Sequence, residues 1–187
     1  MADKIIMNNI NFKPFPNLFT DRLNLRQLKL EDESEIHFLR SDETINKYID
    51  RPKTETNEDV RKFIDKINYG IENNEWIYWA ITTKDSDKLI GTICIWNFSD
   101  QKNIAELGFE LFPQFQGKGL MQEALIKIMK YGFENLNLKK LEAYTNQINI
   151  PSIKLLERNK FIQEKVFEEK HSITGESFNT VIYSLDR

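Results

Sequence analysis

The chain has 187 residues, of which 40% are hydrophobic and 12% aromatic, and its formal net charge is −3. This length and composition predict one folded domain, residues 1–187, with a substantial core. Acidic and basic residues are interspersed, which argues against nucleic-acid binding, because that function usually needs a concentrated basic surface. No apolar run is long enough to span a membrane and no secretion signal is recognisable, so we expect a cytoplasmic protein without membrane partners.

The hydrophobic residues of the first part of the chain have no clear spacing at first and then follow the spacing of strands and helices. Residues 1–18 are interpreted as an N-terminal extension, either lying across the domain or loose. Acidic residues from Glu31 onward favour a helix start, because negative charge is stabilised at a helix N-terminus. The predicted elements are a strand Thr20–Leu28, a helix from Glu31 to about Arg40, a connector Ser41–Thr56 and a helix from about Asn57 to Ile71.

Two segments rich in aromatic and β-branched residues follow, separated by a polar turn. Trp76–Thr83 and Leu89–Phe98 therefore predict an antiparallel hairpin. The next strand, Ile104–Phe112, is expected to pair beside this hairpin. Its residues alternate between an apolar face and a face that carries two glutamates, the period of a half-buried strand.

A glycine loop and a long helix follow that strand, within the stretch Glu106–Glu134. Pro113 ends the strand, and Gly117 and Gly119 precede a helix with one apolar face. Unpaired backbone N–H groups and the positive end of the helix dipole converge at such a place, which predicts an anion site.

The last third of the chain completes a β-α-β unit and adds a hairpin. Lys140–Thr145 predicts a strand parallel to the one that precedes the long helix. Pro151 suits the first turn of a further helix. Phe161–Phe167 and Ser177–Leu185 predict a closing hairpin.

The spacing of the glycine loop excludes two common nucleotide motifs. A dinucleotide-binding fingerprint needs a small residue where this chain has Gln122, and a P-loop needs a hydroxyl residue after Lys118, where this chain has Gly119. The pattern that remains is Q-x-x-G-x-G, from Gln114 to Gly119.

This loop resembles the pyrophosphate-binding loop of the GNAT family of acetyl-CoA-dependent N-acetyltransferases. Thr20–Glu33, Ala105–Leu111 and Asn149–Phe161 resemble the subgroup that contains the ribosomal-protein N-terminal (alanine/serine) acetyltransferases. The resemblance covers most of the chain from about Thr20 to Leu185. It implies an α/β (α+β) GNAT fold with a mixed, mostly antiparallel central sheet, a β-α-β cofactor core and about four flanking helices.

The resemblance also implies the reaction. It predicts transfer of the acetyl group of acetyl-CoA to a primary amine by direct attack in a ternary complex, with a protein N-terminal α-amine as one candidate acceptor. Two alternatives stay open: a small amine such as an antibiotic, polyamine or amino-acid derivative, or a non-catalytic acyl-CoA-binding module. Both a monomer and a homodimer are compatible with the resemblance.

Site residues follow from the same resemblance. Glu106 is the expected general base, with Glu110 or a water as the alternative, although an exposed sheet face would also explain both glutamates. A backbone N–H from a bulge at residues 109–111 would hold the oxyanion. Ser152 is the expected proton donor to the thiolate, because Leu156 occupies the position of the family's usual tyrosine. The expected cofactor-binding residues are Phe109, Glu110, Leu111, Gln114, Gln116, Gly117, Lys118, Gly119, Leu120, Met121, Asn149 and Ser152.

Some residues have simpler explanations. Asn149 corresponds to a family residue that binds the pantetheine arm, but it would also serve as a helix cap. Lys160 replaces the family's usual glycine, which puts the local turn geometry in question. Cys94 lies in an apolar run and is interpreted as a packing thiol. No cluster has metal-ligand spacing.

Overall fold

One eight-stranded sheet organises the structure, a computed structural model that describes residues 10–52 and 54–187. The strands are β1 Leu18–Phe19, β2 Leu23–Arg26, β3 Ile77–Thr83, β4 Ser86–Trp96, β5 Ile104–Leu111, β6 Lys140–Asn146, β7 Ile162–Lys170 and β8 Ser177–Asp186. Their order in the sheet is β1-β2-β3-β4-β5-β6-β8-β7. Every neighbouring pair is antiparallel except β5–β6, which is parallel.

Helices cover both faces of this sheet. Within residues 10–52 and 54–187 the α-helices are α1 Glu33–Ser41, α2 Glu43–Asn46, α3 Asn57–Glu72, α4 Leu120–Glu134 and α5 Ile150–Arg158. A capping box starts α3, because the Thr56 hydroxyl accepts from the Asp59 N–H and the Asp59 carboxylate accepts from the Thr56 N–H. The apolar face of α4 is buried, as its sequence pattern predicts.

Two hydrophobic clusters hold these layers together. The larger lies between the sheet and α4 and contains Trp79, Ile95 and Ile128, all fully buried. The smaller lies between the opposite sheet face and helices α1 and α3, and contains Leu39 and Ile64. Each face of the alternating strands therefore contributes to a core, which fixes their register.

The N-terminal extension packs on the domain over its described part, residues 10–18, whereas residues 1–9 lie outside the described residues. Phe12 is buried, and its N–H donates to Asn74 Oδ1 at 2.8 Å. The indole N–H of Trp79 donates to the Pro16 carbonyl at 2.8 Å, which satisfies the polar end of a buried aromatic side chain.

The predicted architecture is confirmed, with two differences in detail. The connector Ser41–Thr56 contains the short helix α2, because the Asp42 side chain caps it by accepting from the Ile45 N–H. The described α-helices are therefore five rather than about four. The extension contributes the short strand β1, and the first predicted strand is limited to Leu23–Arg26.

Lys160 adopts the left-handed conformation that the family's glycine would have, with φ 70°. It follows α5 in a Schellman turn, since Phe161 N–H donates to Leu156 O at 3.1 Å and Lys160 N–H to Glu157 O at 3.0 Å. The turn is therefore kept in spite of the substitution, at the steric cost of a Cβ in this conformation.

We expect Lys160→Gly to stabilise the protein by about 1 kcal/mol, because glycine removes that steric cost. Lys154→Gly is the matched control: Lys154 is an exposed residue inside α5, where glycine should destabilise by about 1 kcal/mol. Urea denaturation measures both changes. Equal destabilisation by the two variants would contradict this interpretation of the turn.

Candidate functional site

The site begins where strands β5 and β6 stop pairing. Their parallel ladder contains only Ile104↔Lys140, Ala105↔Leu141 and Glu106↔Glu142. Beyond Glu106, β5 stays paired with β4, while β6 stays paired with β8. A gap therefore opens in the sheet, and the β5 edge that faces it has backbone groups available to a ligand.

Glu106 lies at the vertex of this gap and is half-buried. Burial raises the pKa of Glu106 to about 7, and repulsion from Glu142 acts in the same direction. A hydrogen bond of 3.3 Å from Asn97 Nδ2 to Glu106 Oε2 opposes this shift. A carboxylate with such a pKa can accept a proton near neutral pH.

Glu110 has a different environment from Glu106, although both lie on the same strand face. Arg51 binds it with two parallel hydrogen bonds, Nη1 to Oε1 and Nη2 to Oε2, both 2.7 Å. Both side chains are mostly buried, with 15% and 16% of their surface exposed. Because its two oxygens are occupied by a permanent cation, Glu110 is poorly placed to accept a proton from a substrate.

The glycine loop ends the same strand and leads into α4. Gly117 and Gly119 have φ values of 72° and 76°, the left-handed region that glycine adopts without strain. Gly119 is the N-cap of α4 and supplies no side chain to cap the first-turn N–H groups. The donors from Gly117 to Met121 therefore have no side-chain acceptor within the described part of the chain, which suits a phosphate group.

The two glutamines of the loop shape it in different ways. The Gln116 N–H donates to Pro113 O at 3.1 Å, so it is not among the unpaired backbone donors of the loop. Its side-chain amide donates to Leu111 O at 2.9 Å and holds the loop against the strand. Gln114 lines a cleft of about 530 Å³ on the α1 side, together with Phe38 and Phe112.

Helix α5 brings the predicted site residues Asn149 and Ser152 to the same edge of the sheet as the glycine loop. Strands β5 and β6 are parallel, so the helices that follow them, α4 and α5, both start at that edge. Asn149 caps α5 by accepting from the Ser152 N–H at 3.3 Å, which leaves its Nδ2 for other contacts. The Ser152 side chain is half-buried in the first turn. Leu156 is fully buried and belongs to the core.

A reciprocal amide pair couples α4 to α5. Gln122 Nε2 donates to Asn159 Oδ1 at 2.6 Å, and Asn159 Nδ2 donates to Gln122 Oε1 at 3.0 Å. Gln122 is the residue that breaks the dinucleotide fingerprint, so the structure assigns it a packing role between the two helices.

The expected bulge at residues 109–111 is absent from the β4–β5 ladder. The pairing is regular from Trp96↔Glu106 to Gly91↔Leu111. No bulge is needed to present a backbone donor, because the missing β6 partner already leaves one edge of β5 unpaired beyond Glu106.

The α2–α3 connector crosses the gap. Arg51 contacts Glu110 on β5, whereas the neighbouring Asp50 accepts from both the N–H and the hydroxyl of Ser172, at 2.8 and 2.6 Å. Ser172 lies in the turn between β7 and β8, on the other side of the gap. The connector therefore forms a bridge over the face that carries Glu106.

Cys94 lies opposite Gly108 in the β4–β5 ladder. A side chain on Gly108 would come within 3.0 Å of the Cys94 sulfur. Burial raises the pKa of the Cys94 thiol to about 12, so it is protonated and unsuited to nucleophilic attack.

A family model for the acetyltransferase (GNAT) domain matches residues 22–162. The chain belongs to the GNAT acetyltransferase family. It is 35% identical to an uncharacterized N-acetyltransferase, p20, from Bacillus licheniformis, over 90% of this chain and 94% of that protein. It is 30% identical to the uncharacterized N-acetyltransferase YoaA of Bacillus subtilis, over 91% of this chain and 97% of that protein.

Solved structures agree with this GNAT assignment at the level of the fold. A ribosomal L7/L12 alpha-N-protein acetyltransferase, RimL, solved in complex with coenzyme A, superposes with a TM-score of 0.82 at 18% identity, over 91% of this chain and 98% of that one. The chain is thus an N-acetyltransferase of a family that uses acetyl-CoA. Among the described residues, no helix could cross a membrane and no side-chain cluster could hold a metal ion.

Several residues of this GNAT site were not predicted from the sequence. Arg51, Asn97 and Glu142 contact or flank the two glutamates but lie far from the loop motif. Arg22 was included only in the resembling stretch Thr20–Glu33, although it contacts the loop directly. The contacts of Arg51 and Arg22 gave no signal in the sequence, because they join segments that are 59 and 96 residues apart. Asn97 is only nine residues from Glu106, but the strand pattern does not show that its side chain reaches the carboxylate.

Arg51→Met is expected to destabilise the protein by about 3 kcal/mol, because it leaves the Glu110 carboxylate buried without its partner. Glu110→Gln should cost less, since Arg51 keeps its contacts with Asn46 Oδ1 and Leu39 O. The double variant should recover most of the loss. Thermal unfolding of the three variants measures this cycle, and a double variant as unstable as the sum of both singles would contradict it.

Proposed function

We propose that this enzyme acetylates a primary amine, with the α-amine of a protein or peptide N-terminus as the favoured acceptor. The observation that carries the proposal is Glu106, which lies at the vertex of the gap with its pKa raised to about 7. A base of this strength suits an α-amine, whose pKa is about 7.7 to 8.0, better than a lysine amine at about 10.4.

The residues around the gap fit acetyl-CoA. The backbone donors from Gly117 to Met121 would bind the pyrophosphate, and the open space around Gly117 allows close approach. The free edge of β5 from Phe109 to Leu111 would bind the pantetheine arm, together with Asn149 Nδ2. Acetyl-CoA supplies the acetyl group as a thioester.

In this arrangement Glu106 removes the proton from the acceptor nitrogen, directly or through a water, as the new C–N bond forms. An unpaired N–H of β5 donates to the carbonyl oxygen and stabilises its developing negative charge. The C–S bond then breaks, and the thiolate takes a proton through the Ser152 hydroxyl, which regains one from the proton that Glu106 removed from the amine, carried through water. Each proton therefore has a donor and an acceptor within the proposed site.

Acylation of a small polyamine is the second candidate, and a specific observation favours it. Glu106 and Glu142 are neighbours across the parallel ladder, and the Tyr144 hydroxyl donates to Glu142 at 3.3 Å. Two carboxylates at the vertex would attract an acceptor that has more than one positive charge.

Glu106→Gln should lower acetyl transfer by roughly a hundredfold to ten-thousandfold, because the amide cannot accept a proton. Binding of acetyl-CoA, measured by calorimetry, should be unchanged. Glu142→Gln is the matched control on the adjacent strand: it should retain transfer and lower the pH at which the rate rises, since the repulsion from Glu142 contributes to the raised pKa of Glu106.

The same assay compares acceptors: peptides with free N-termini, the same peptides with blocked N-termini but a free lysine, and spermidine. Transfer to the free N-termini alone is the expected result. Preferential transfer to spermidine would select the second candidate. Binding of acetyl-CoA without transfer to any of the acceptors would instead support a binding module, and unimpaired transfer by Glu106→Gln would exclude Glu106 as the base.

A further inference from the structure

Arg22 is the side chain that joins the start of β2 to the glycine loop and to α4. Its Nε donates to Glu123 Oε2 at 2.6 Å, and its backbone N–H donates to Glu123 Oε1 at 2.8 Å. One terminal nitrogen, Nη1, donates to the Lys118 carbonyl at 3.0 Å. The other terminal nitrogen lies 3.5 Å from the position that a Cβ on Gly119 would occupy.

The contact with Lys118 fixes the orientation of one peptide unit in the loop. In a trans peptide, the carbonyl and the following N–H point in opposite directions. Because the Lys118 carbonyl is directed toward Arg22, the Gly119 N–H is directed away from it. Gly119 precedes α4 and has φ 76°. Because glycine has few steric restrictions, the Lys118–Gly119 peptide could rotate if Arg22 did not hold its carbonyl.

Arg22 also compensates a charge that is unfavourable for an anion site. Glu123 lies in the first turn of α4, close to the donors from Gly117 to Met121. Although burial opposes it, hydrogen bonds from Thr20 and Arg22 lower the pKa of Glu123 below its ordinary value, so Glu123 is ionised. Without Arg22 this negative charge would repel a bound pyrophosphate.

We propose that Arg22 is a positioning residue for the pyrophosphate of acetyl-CoA, which holds the Gly119 N–H toward the phosphate and neutralises Glu123. The proposal rests on the proposed function, since it needs the loop to bind acetyl-CoA. Arg22 itself need not touch the cofactor.

The test measures CoA binding to the full chain by calorimetry, with Arg22→Met as the principal variant. Arg61→Met is a matched control, because Arg61 also pairs with a glutamate through Nε at 2.7 Å and is similarly exposed, but contacts Glu33 in α1 instead of the loop. We expect Arg22→Met to weaken CoA binding by about tenfold, which corresponds to about 1.4 kcal/mol, and Arg61→Met to leave it unchanged.

A second measurement separates positioning from general stability: the shift of the Gly119 amide proton on saturation with CoA, followed by NMR. Wild type and Arg61→Met should show a large downfield shift, and Arg22→Met a reduced one. Arg22→Lys keeps the positive charge but cannot contact both Glu123 and Lys118 O, so it should show the same reduced Gly119 shift as Arg22→Met with a smaller loss of CoA affinity; it supplies the result if Arg22→Met does not fold.

The outcomes are distinguishable. Failure of the wild type to bind CoA would overturn the proposed function itself. Normal CoA affinity in the Arg22 variants, or weaker affinity with an unchanged Gly119 shift, would overturn the positioning role while leaving the proposed function intact.

Discussion

The parallel pairing of β5 with β6 stops after three residue pairs, and the site depends on that interruption. Each strand keeps a different outer partner, β4 for β5 and β8 for β6, so the sheet remains continuous at one end and opens at the other. The opening exposes a strand edge without exposing the core, because both sheet faces are covered by helices. It also leaves Glu106 at the last paired position, where burial is substantial but a substrate can still approach.

Charge distinguishes two glutamates that the sequence pattern treats as equivalent. Glu110 is bound by Arg51 from the α2–α3 connector, whereas Glu106 has one weak hydrogen bond and an acidic neighbour. The first arrangement gives a structural carboxylate whose two oxygens are both bound by an arginine, and the second favours a carboxylate that exchanges protons near neutral pH. Arg22 compensates Glu123 at the other end of the site in a similar way. The carboxylates that have an arginine partner are therefore proposed to be structural, and Glu106, which has none, is proposed to be the base.

Local patterns predicted most of the fold, because hairpins, helix caps and the glycine loop are determined by residues close together along the chain. The mixed sheet, the parallel pair and the helix after the loop are confirmed. The contacts that distinguish the carboxylates could not be predicted, since Arg51 and Glu110 are 59 residues apart and Arg22 and Glu123 are 101 apart. The strand bulge was wrong for a related reason: it came from the family resemblance, whereas the unpaired β5 edge results from β6 pairing with the distant strand β8. The roles of Glu106, Ser152 and the loop donors stay predictions.

The most direct measurement is a pH titration of the Glu106 carboxyl carbon by NMR, in protein labelled at glutamate side chains and assigned with Glu106→Gln. We expect a midpoint of about 7 for this carbon, well above that of an ordinary glutamate. Glu142→Gln should lower that midpoint, because it removes the neighbouring negative charge. A midpoint near about 4.3, the value of an unperturbed glutamate, would contradict the central claim that the gap between β5 and β6 holds a base suited to deprotonating an amine.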